Sequence, residues 1–234
     1  MKLYNKDCLE VIKSLPSNSI DLVVTDPPYD ISCTNGGGSL NKTKHMVNSI
    51  QVLAEVGISK GYNIEEIGKE LVRVMKNINI YLWCNKVQIP EYFNFYVNQL
   101  GCKFDILCWH KTNPLPAYNN KYLSDTEYCL YFRKGGYCNP SATEENERYE
   151  NAKTYYVAPL NAKDKKIWKH PTIKPLDFTE KLIKNSSKKG EVVLDCFMGS
   201  GTTVVACKNL GRDFIGIELN PEYFKIAKER IEKD

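Results

Sequence analysis

The sequence has no pair of cysteines at the spacing that a zinc ribbon or a thiol redox motif uses. Its nine cysteines are an odd number, and they are scattered along 234 residues without a Cys-x-x-Cys pair. A disulfide framework and a zinc ribbon are therefore unfavourable interpretations, and reduced thiols in a cytoplasmic protein fit this pattern best. The sequence predicts no metal site, because none of the usual metal-ligand spacings occurs.

Long apolar runs are also missing. No segment approaches the ~18 apolar residues that a membrane-spanning helix needs, and the first residues, Met1–Asp7, contain no apolar signal region. We therefore expect a cytoplasmic protein without a membrane partner. The net charge of +4 permits a polyanionic partner but does not require one. The length suits a single α/β domain over residues 1–234.

Short β-branched runs alternate with helical patterns along most of the chain. The patterns predict strands over 2–5, 20–25, 78–84, 104–110, 126–133, 191–197 and 214–219. They predict helices over 8–15, 64–75, 90–100, 175–186, 204–210 and 221–231. This alternation predicts an α/β fold with a doubly wound, mostly parallel sheet. The two consecutive strands on either side of 111–116 predict an antiparallel hairpin at one edge.

Two irregular stretches interrupt the alternation. Residues 31–60 begin with polar residues around three consecutive glycines, which predicts a mobile loop and, beside a candidate site, a substrate lid. Residues 135–169 are polar, charged and rich in tyrosine, without a sustained period. We interpret this second stretch as an insert on the sheet rather than part of its core.

The strand over 20–25 ends in an acidic, proline-rich turn, Asp26–Tyr29. Its two prolines remove backbone donors and fix φ, so the turn is stiff and extended. A carboxylate, a rigid carbonyl and an aromatic ring therefore lie at the carboxyl end of a strand, where open α/β sheets bind ligands. A packed Asp-Pro turn without a ligand is the alternative interpretation.

A second candidate site follows the strand over 191–197. Its glycine turn, Gly199–Gly201, allows close backbone approach to a ligand, and the helix that follows offers free amide donors. Glu218 ends the next strand, where a carboxylate can accept both hydroxyls of a ribose. The turn lacks the lysine of a phosphate-binding P-loop, and Val204 departs from the dinucleotide fingerprint. This pattern predicts a nucleoside cofactor.

The motifs in this order resemble those of DNA amino-methyltransferases that use S-adenosylmethionine. In the β class of that family, Asp-Pro-Pro-Tyr precedes Phe-x-Gly-x-Gly-Thr, as Asp26–Tyr29 precedes Phe197–Thr202 here. The resemblance covers nearly the whole chain and includes Asp7–Cys8, Trp109–Pro114 and His170–Pro175. It implies a Rossmann-like methyltransferase fold with a circularly permuted motif order, with S-adenosylmethionine as cofactor and DNA as partner.

The resemblance also assigns candidate roles by position. The catalytic residues would be Asp26, Pro27, Pro28 and Tyr29. The cofactor site would comprise Asp7, Cys8, Asp26, His170, Thr172, Lys174, Asp195, Phe197, Gly199, Ser200, Gly201, Thr202, Glu218 and Asn220. The target base would contact Tyr29, Trp109, Lys111 and Asn113. Simpler interpretations exist for four of these residues: Asp7 as a helix N-cap, Trp109 as a core residue, His170 as a surface residue and Lys174 as a solvated lysine.

The expected reaction methylates N6 of adenine in DNA. An exocyclic amino group is a poor nucleophile, because its lone pair is delocalised into the ring. The Asp26 carboxylate and the Pro27 carbonyl could each accept one amino N–H, which would localise that lone pair and stabilise the developing positive charge. The target base would leave the duplex and stack on Tyr29.

Several alternatives stay open at this point. Cytosine-N4 methylation is the nearest, although an aspartate rather than a serine before Pro-Pro-Tyr favours adenine. Methylation at carbon 5 of cytosine is disfavoured, because no Pro-Cys pair is present. An RNA methyltransferase, an NAD-dependent oxidoreductase and a non-catalytic nucleic-acid-binding module are more distant. We expect target recognition in 135–169, alone or together with the loop 32–60. The shortness of the insert 135–169 suggests either a short recognition site or a homodimer.

Overall fold

The computed structural model describes residues 1–29, 62–114, 122–140, 148–170 and 172–233. Its strands are β1 (Lys2–Tyr4), β2 (Leu22–Thr25), β3 (Ile78–Cys84), β4 (Lys103–Lys111), β5 (Thr126–Lys134), β6 (Tyr155–Ala158), β7 (Val192–Asp195) and β8 (Asp213–Ile217). Its helices are α1 (Cys8–Ser14), α2 (Ile64–Val74), α3 (Ile89–Phe93) with a π-helical continuation (Asn94–Gln99), α4 (Arg148–Ala152), α5 (Ala162–Trp168), α6 (Leu176–Ser186), α7 (Thr202–Leu210) and α8 (Pro221–Lys233).

The strands of the described residues form one sheet in the order β1-β8-β7-β2-β3-β5-β4-β6. Neighbouring strands are parallel except for the two pairs that β5 makes, with β3 and with β4. The predicted α/β fold with a mostly parallel sheet is therefore confirmed. The predicted antiparallel hairpin is also present as β4 and β5, but a further strand, β6, lies outside it.

Strand β6 belongs to the segment 135–169, which the sequence predicts to be an insert on the sheet rather than part of its core. Residues 155–158 pair in parallel with β4, so that Cys108 lies opposite Tyr155. This corrects the interpretation for that part of the segment. Four residues are too few to show a period, and the polar flanks on both sides hide the strand. The predicted loop over 31–60 and residues 141–147 of the insert lie outside the described residues.

Two helical layers cover the sheet, which makes the fold doubly wound. On one face, α1, α2 and α3 bury apolar residues such as Ile12, Leu71 and Tyr92. On the other face, α6, α7 and α8 bury residues such as Phe178, Val204 and Ala227. Within the described part of the chain, no helix is both long enough and apolar enough to cross a membrane.

The sheet order brings the two predicted motifs together. Strand β2 lies between β3 and β7, and all three run in the same direction. The turn after β2 therefore lies beside the turn after β7, although about 170 residues separate them in the chain. Thr25, the last residue of β2, donates from Oγ1 to Asp195 Oδ1 at 2.8 Å and joins the two strand ends.

Candidate active site

One cavity of about 280 Å³ opens at the carboxyl ends of β2, β7 and β8. Fifteen of the predicted site residues line it: Asp7, Cys8, Asp26, Pro27, Pro28, Tyr29, His170, Thr172, Lys174, Asp195, Phe197, Gly199, Ser200, Thr202 and Glu218. The Asp-Pro-Pro-Tyr turn and the glycine turn thus share a single cavity. A ligand at one turn would lie within reach of a ligand at the other.

Lys174 is the central cation of this cavity. Its Nζ donates to Asp26 Oδ2 at 2.5 Å and to Tyr29 Oη at 3.2 Å, and it forms an ion pair with Glu127 Oε2 at 3.1 Å. Burial opposes the charge on Lys174, but the two carboxylates outweigh burial and raise its pKa. The Trp83 ring lies 5.0 Å from Nζ and adds a cation–π contact. Lys174 is therefore an ammonium that two acids share.

The second oxygen of Asp26 is an unused acceptor. Asp26 Oδ1 is buried, and it accepts no hydrogen bond from any residue that the structure describes. A buried acceptor without a donor destabilises a protein by roughly 1–3 kcal/mol, so such atoms commonly mark ligand sites. Burial raises the pKa of Asp26, while Lys174 acts in the opposite direction. A ligand N–H at this position would satisfy Oδ1.

Glu127 is a site residue that the sequence analysis missed. It lies near the start of β5 and lines the cavity. Lys111 Nζ contacts its Oε1 at 2.6 Å, while Lys174 contacts its other oxygen. Burial opposes ionisation of Glu127, but the two lysines outweigh burial and lower its pKa to about 2. The available signal was an acid directly before the apolar run Tyr128–Phe132.

The glycine turn is held by the carboxylate that follows β8. Glu218 Oε2 accepts from Gly199 N at 2.8 Å, and Oε1 accepts from Asn220 N at 2.8 Å. Gly199 has φ +53°, and a Cβ atom there would lie 3.0 Å from His170 Nε2. Two observations thus require glycine at this position: the left-handed backbone and the close approach of an imidazole ring.

His170 supports the turn as a neutral imidazole. Burial and the nearby Lys174 lower its pKa to about 4. Its Nδ1 accepts from Thr172 N at 3.3 Å, and its ring contacts the edge of Tyr223 at a centroid distance of 4.4 Å. His170 is buried, so the interpretation as a surface residue was wrong.

Asp195 stabilises the junction between the two turns. Its Oδ1 accepts from Thr25 Oγ1 at 2.8 Å and from Phe197 N at 3.1 Å. Burial raises the pKa of Asp195 to about 6, against the effect of these hydrogen bonds. Asp7 lines the cavity, and its side chain caps α1 by accepting from Glu10 N at 3.1 Å. The N-cap interpretation is therefore confirmed, and the cofactor contact of Asp7 stays a prediction.

Some predicted residues do not reach the cavity. Trp109 is 2% exposed, and its indole Nε1 donates to Ala158 O at 3.1 Å. It is a core residue, which corrects the prediction that it contacts the target base. Asn113 Oδ1 accepts from Leu160 N at 2.6 Å and holds the end of β4 to the insert. Lys111 is not part of the lining, but it contacts the lining residue Glu127 at 2.6 Å.

Asn220 and Gly201 have structural positions beside the cavity. Asn220 Oδ1 accepts from Glu222 N at 2.8 Å and from Tyr223 N at 3.2 Å, so it caps α8 rather than lining the cavity. Gly201 is the N-cap residue of α7, with φ +86°, and also lies outside the lining. Besides Glu127, the lining includes residues that the sequence analysis did not select: Lys6, Trp83, Thr179, Cys196, Met198, Thr203, Ile217, Leu219 and Tyr223.

Comparisons with known proteins agree with this geometry. The model of the N6/N4 methyltransferase family, described as DNA methylase, matches residues 20–229. The Type II methyltransferase M2.DpnII of Streptococcus pneumoniae is 33% identical over 250 aligned positions, which cover 100% of this chain and 90% of that protein. M.HpaI of Haemophilus parainfluenzae is 30% identical, with 100% of this chain and 74% of that protein covered.

Two solved structures are similar to this chain over nearly its whole length. The structure of the M1.HpyAVI–SAM complex is 28% identical with a TM-score of 0.67, and the match covers 98% of each chain. The cytosine-N4-specific PvuII DNA methyltransferase is 18% identical with a TM-score of 0.71, covering 97% of this chain and 85% of that one, and shows the shared fold alone. From the family match and the full-length relatives, the chain belongs to the N6/N4 DNA methylase family.

Proposed function

We propose that this protein transfers a methyl group from S-adenosylmethionine to the N6 amino group of adenine within a specific DNA sequence. The observation that carries the proposal is the unused, buried acceptor Asp26 Oδ1 in the same cavity as the glycine turn. An amino group at Oδ1 would lie beside a methyl donor held at that turn. The full-length similarity to Type II methyltransferases supports DNA as the substrate.

The residues of the second turn fit S-adenosylmethionine. The Glu218 carboxylate has lone pairs left beyond the two backbone N–H groups that it accepts, so it can also accept ribose hydroxyls. Gly199 lines the cavity and has no side chain, so a ligand can approach the backbone of the turn closely. When bound there, S-adenosylmethionine supplies an electrophilic methyl group on its sulfonium.

The first turn prepares the amino group to react. Asp26 Oδ1 would accept one amino N–H, and the carbonyl of Pro27, which lines the same cavity, would accept the other. Both acceptors draw the amino lone pair out of conjugation and stabilise the positive charge that develops on nitrogen. Tyr29, which Lys174 holds by its hydroxyl, provides a ring on which the base can stack.

The Asp26 carboxylate would also be the proton acceptor next to the reacting amino nitrogen. A methylated amino group must release one proton, and a carboxylate at hydrogen-bond distance is suited to accept it. Because burial raises the pKa of Asp26, the proton can reside there briefly before it passes to solvent. The described residues thus perform three tasks: orientation of the amino group, stabilisation of its charge and removal of its proton.

The test is identification of the modified base. Purified protein is incubated with genomic DNA and S-adenosylmethionine, the DNA is digested to nucleosides, and methylated nucleosides are identified by mass. We expect N6-methyladenine from the wild type, none from Asp26→Asn, and a wild-type level from Asp105→Asn, a matched change at an exposed acid on β4. Detection of N4-methylcytosine would show that the target base is cytosine rather than adenine. The absence of any methylated nucleoside would refute the proposal.

Target recognition by the segment 135–169 and a homodimer are further parts of the proposal. Helix α5 in this segment carries the exposed lysines Lys163 and Lys166, which are suited to contact DNA phosphates. Replacing both by glutamine should weaken DNA binding and reduce its dependence on salt concentration. Light scattering of the active protein would test the homodimer, since a fully active monomer would contradict it.

A further inference from the structure

The methyl transfer described above uses one carboxylate, but the cavity holds two beside Lys174. We propose that Glu127 is a positioning residue that restrains the Lys174 ammonium, keeps Asp26 Oδ1 available to the target amino group and offsets the ammonium charge beside the reacting nitrogen. The proposal rests on the methyltransferase function and extends it to a residue outside the Asp-Pro-Pro-Tyr motif.

The first support is the geometry around Lys174. An ammonium group has three N–H donors. Lys174 Nζ donates to Asp26 Oδ2 at 2.5 Å and to Tyr29 Oη at 3.2 Å, and its third neighbour is Glu127 Oε2, an ion-pair partner at 3.1 Å without a hydrogen bond. Two hydrogen bonds and the attraction of Glu127 thus hold the ammonium where Asp26 Oδ1 receives no donor. Without Glu127, the ammonium would lose one of its two carboxylate partners, and the second oxygen of Asp26 is the charged atom that could replace it.

The second support is the charge balance. Lys111, Glu127, Lys174 and Asp26 form a chain of alternating charges, with contacts of 2.6, 3.1 and 2.5 Å between successive members. The amino nitrogen becomes positive as it reacts beside Asp26. Without a balancing carboxylate, the Lys174 ammonium beside Asp26 would repel the positive charge on the amino nitrogen. This repulsion is strong where water is excluded. Glu127 contributes the negative charge that balances Lys174.

The other titratable groups around these four side chains do not supply the negative charge that balances Lys174. Those that interact with its members are Tyr29 from the motif turn, Cys84 on β3, Cys129 on β5, Asp195 on β7, Lys165 on α5 and His170 after α5. Burial raises the pKa of Tyr29, Cys84 and Cys129, and burial lowers that of His170, so all four are neutral near pH 7. Lys165 adds a further cation. Asp195 is an acid, but its oxygen is engaged by Thr25 and Phe197.

The experiment compares Glu127→Gln, Glu127→Asp and the wild type in single-turnover methylation of DNA across pH. Glu65→Gln is the matched control, because Glu65 pairs with Lys69 at 2.7 Å on the exposed face of α2, away from the cavity. Calorimetry with S-adenosylmethionine measures cofactor binding separately. For Glu127→Gln, we expect the methylation rate to fall by about 10- to 100-fold, while cofactor affinity stays within about threefold of the wild type.

The pH profile separates a positioning role from a structural one. Glu127 raises the pKa of Asp26 by like-charge repulsion, so its neutralisation should move the acid limb of the profile to lower pH even as the rate falls. Glu127→Asp keeps the charge and should retain the wild-type limb and more of the rate than Glu127→Gln.

Two results would overturn the inference. One is a Glu127→Gln variant with the wild-type rate and limb. The other is an equal loss of rate in both Glu127 variants with an unmoved limb, which would indicate a structural role only. If Glu127→Gln does not fold, Glu127→Asp alone decides, because a shifted limb in a variant that keeps the charge contradicts the proposal. A wild type that methylates no DNA would instead refute the proposed function.

Discussion

Replacing Lys174 by methionine should destabilise the protein in a pH-dependent way. The substitution keeps an unbranched side chain at a position that is 7% exposed, but it removes the cation that Asp26 and Glu127 share. Glu127 then keeps Lys111 at 2.6 Å, but Asp26 loses its cation and lies near a second carboxylate. The structure therefore predicts a loss that depends on the ionisation of those two acids.

The magnitude follows from the ion pairs. Removing one partner of a buried ion pair typically destabilises a protein by about 3–5 kcal/mol. The pKa of Glu127, lowered from 4.5 to about 2, corresponds to about 3 kcal/mol, which Lys174 and Lys111 supply together. We therefore expect Lys174→Met to lower the free energy of unfolding by about 3 kcal/mol at pH 8. A domain with about 5–15 kcal/mol of stability remains folded after this loss.

The sign of the pH dependence follows from the two acids. In the wild type, the lowered pKa of Glu127 stabilises the fold above pH 4.5, and this contribution disappears as the pH falls toward about 2. Asp26 has a raised pKa, so its buried charge destabilises the fold progressively as the pH rises above 3.8. Without Lys174 to oppose burial, the pKa of Asp26 rises further, and the destabilisation by its buried charge becomes larger. Lys174→Met should therefore lose more stability at pH 8 than at pH 5.

The assay is urea unfolding followed by tryptophan fluorescence at pH 5 and pH 8, for the wild type, Lys174→Met, Glu127→Gln and the double variant. Removing the second acid relieves the repulsion, so the double variant should be more stable at pH 8 than Lys174→Met alone. Equal stability of Lys174→Met and the wild type, or a loss of the same size at both pH values, would refute the reasoning.

Three further substitutions test the two turns. Gly199→Ala places a side chain at φ +53°, 3.0 Å from His170 Nε2, and should lower the free energy of unfolding by about 1–3 kcal/mol in thermal or urea denaturation. Glu218→Gln should weaken S-adenosylmethionine binding by about tenfold in calorimetry, because a charged acceptor becomes neutral; unchanged affinity would exclude Glu218 from the cofactor site. Gln88→Met removes the donor that holds Pro28 O at 3.2 Å, so the methylation rate should fall while cofactor affinity stays the same.

The parts of the site that sequence reasoning found are those that a short segment specifies by itself. The prolines of Asp26–Tyr29 and the glycines of Gly199–Gly201 determine the backbone of each turn locally. Both turns follow apolar runs whose length and branching indicate buried strands. The alternation of strands and helices then predicts that these turns meet at one edge of the sheet.

The missed features depend on contacts between distant segments. Glu127 becomes a site residue only because β5 lies beside β3 and β4, which brings its carboxylate to Lys174 and Lys111. The strand β6 has too few residues to show a period, and its pairing with β4 supplies its conformation. The predicted helix over 90–100 is helical, but its second half, Asn94–Gln99, is a π-helix that local propensity does not distinguish from an α-helix.

The sheet order also has a consequence for biosynthesis. Lys2 in β1 pairs with Ile215 in β8, and Leu22 in β2 pairs with Val193 in β7. At roughly 5–20 residues per second, a ribosome needs about 10–40 s between making β1 and making its partner. During that interval the nascent chain presents unpaired apolar strand edges, which are targets for aggregation and for chaperones. Slower translation should therefore lower the soluble yield of this protein, and chaperone overexpression should restore it.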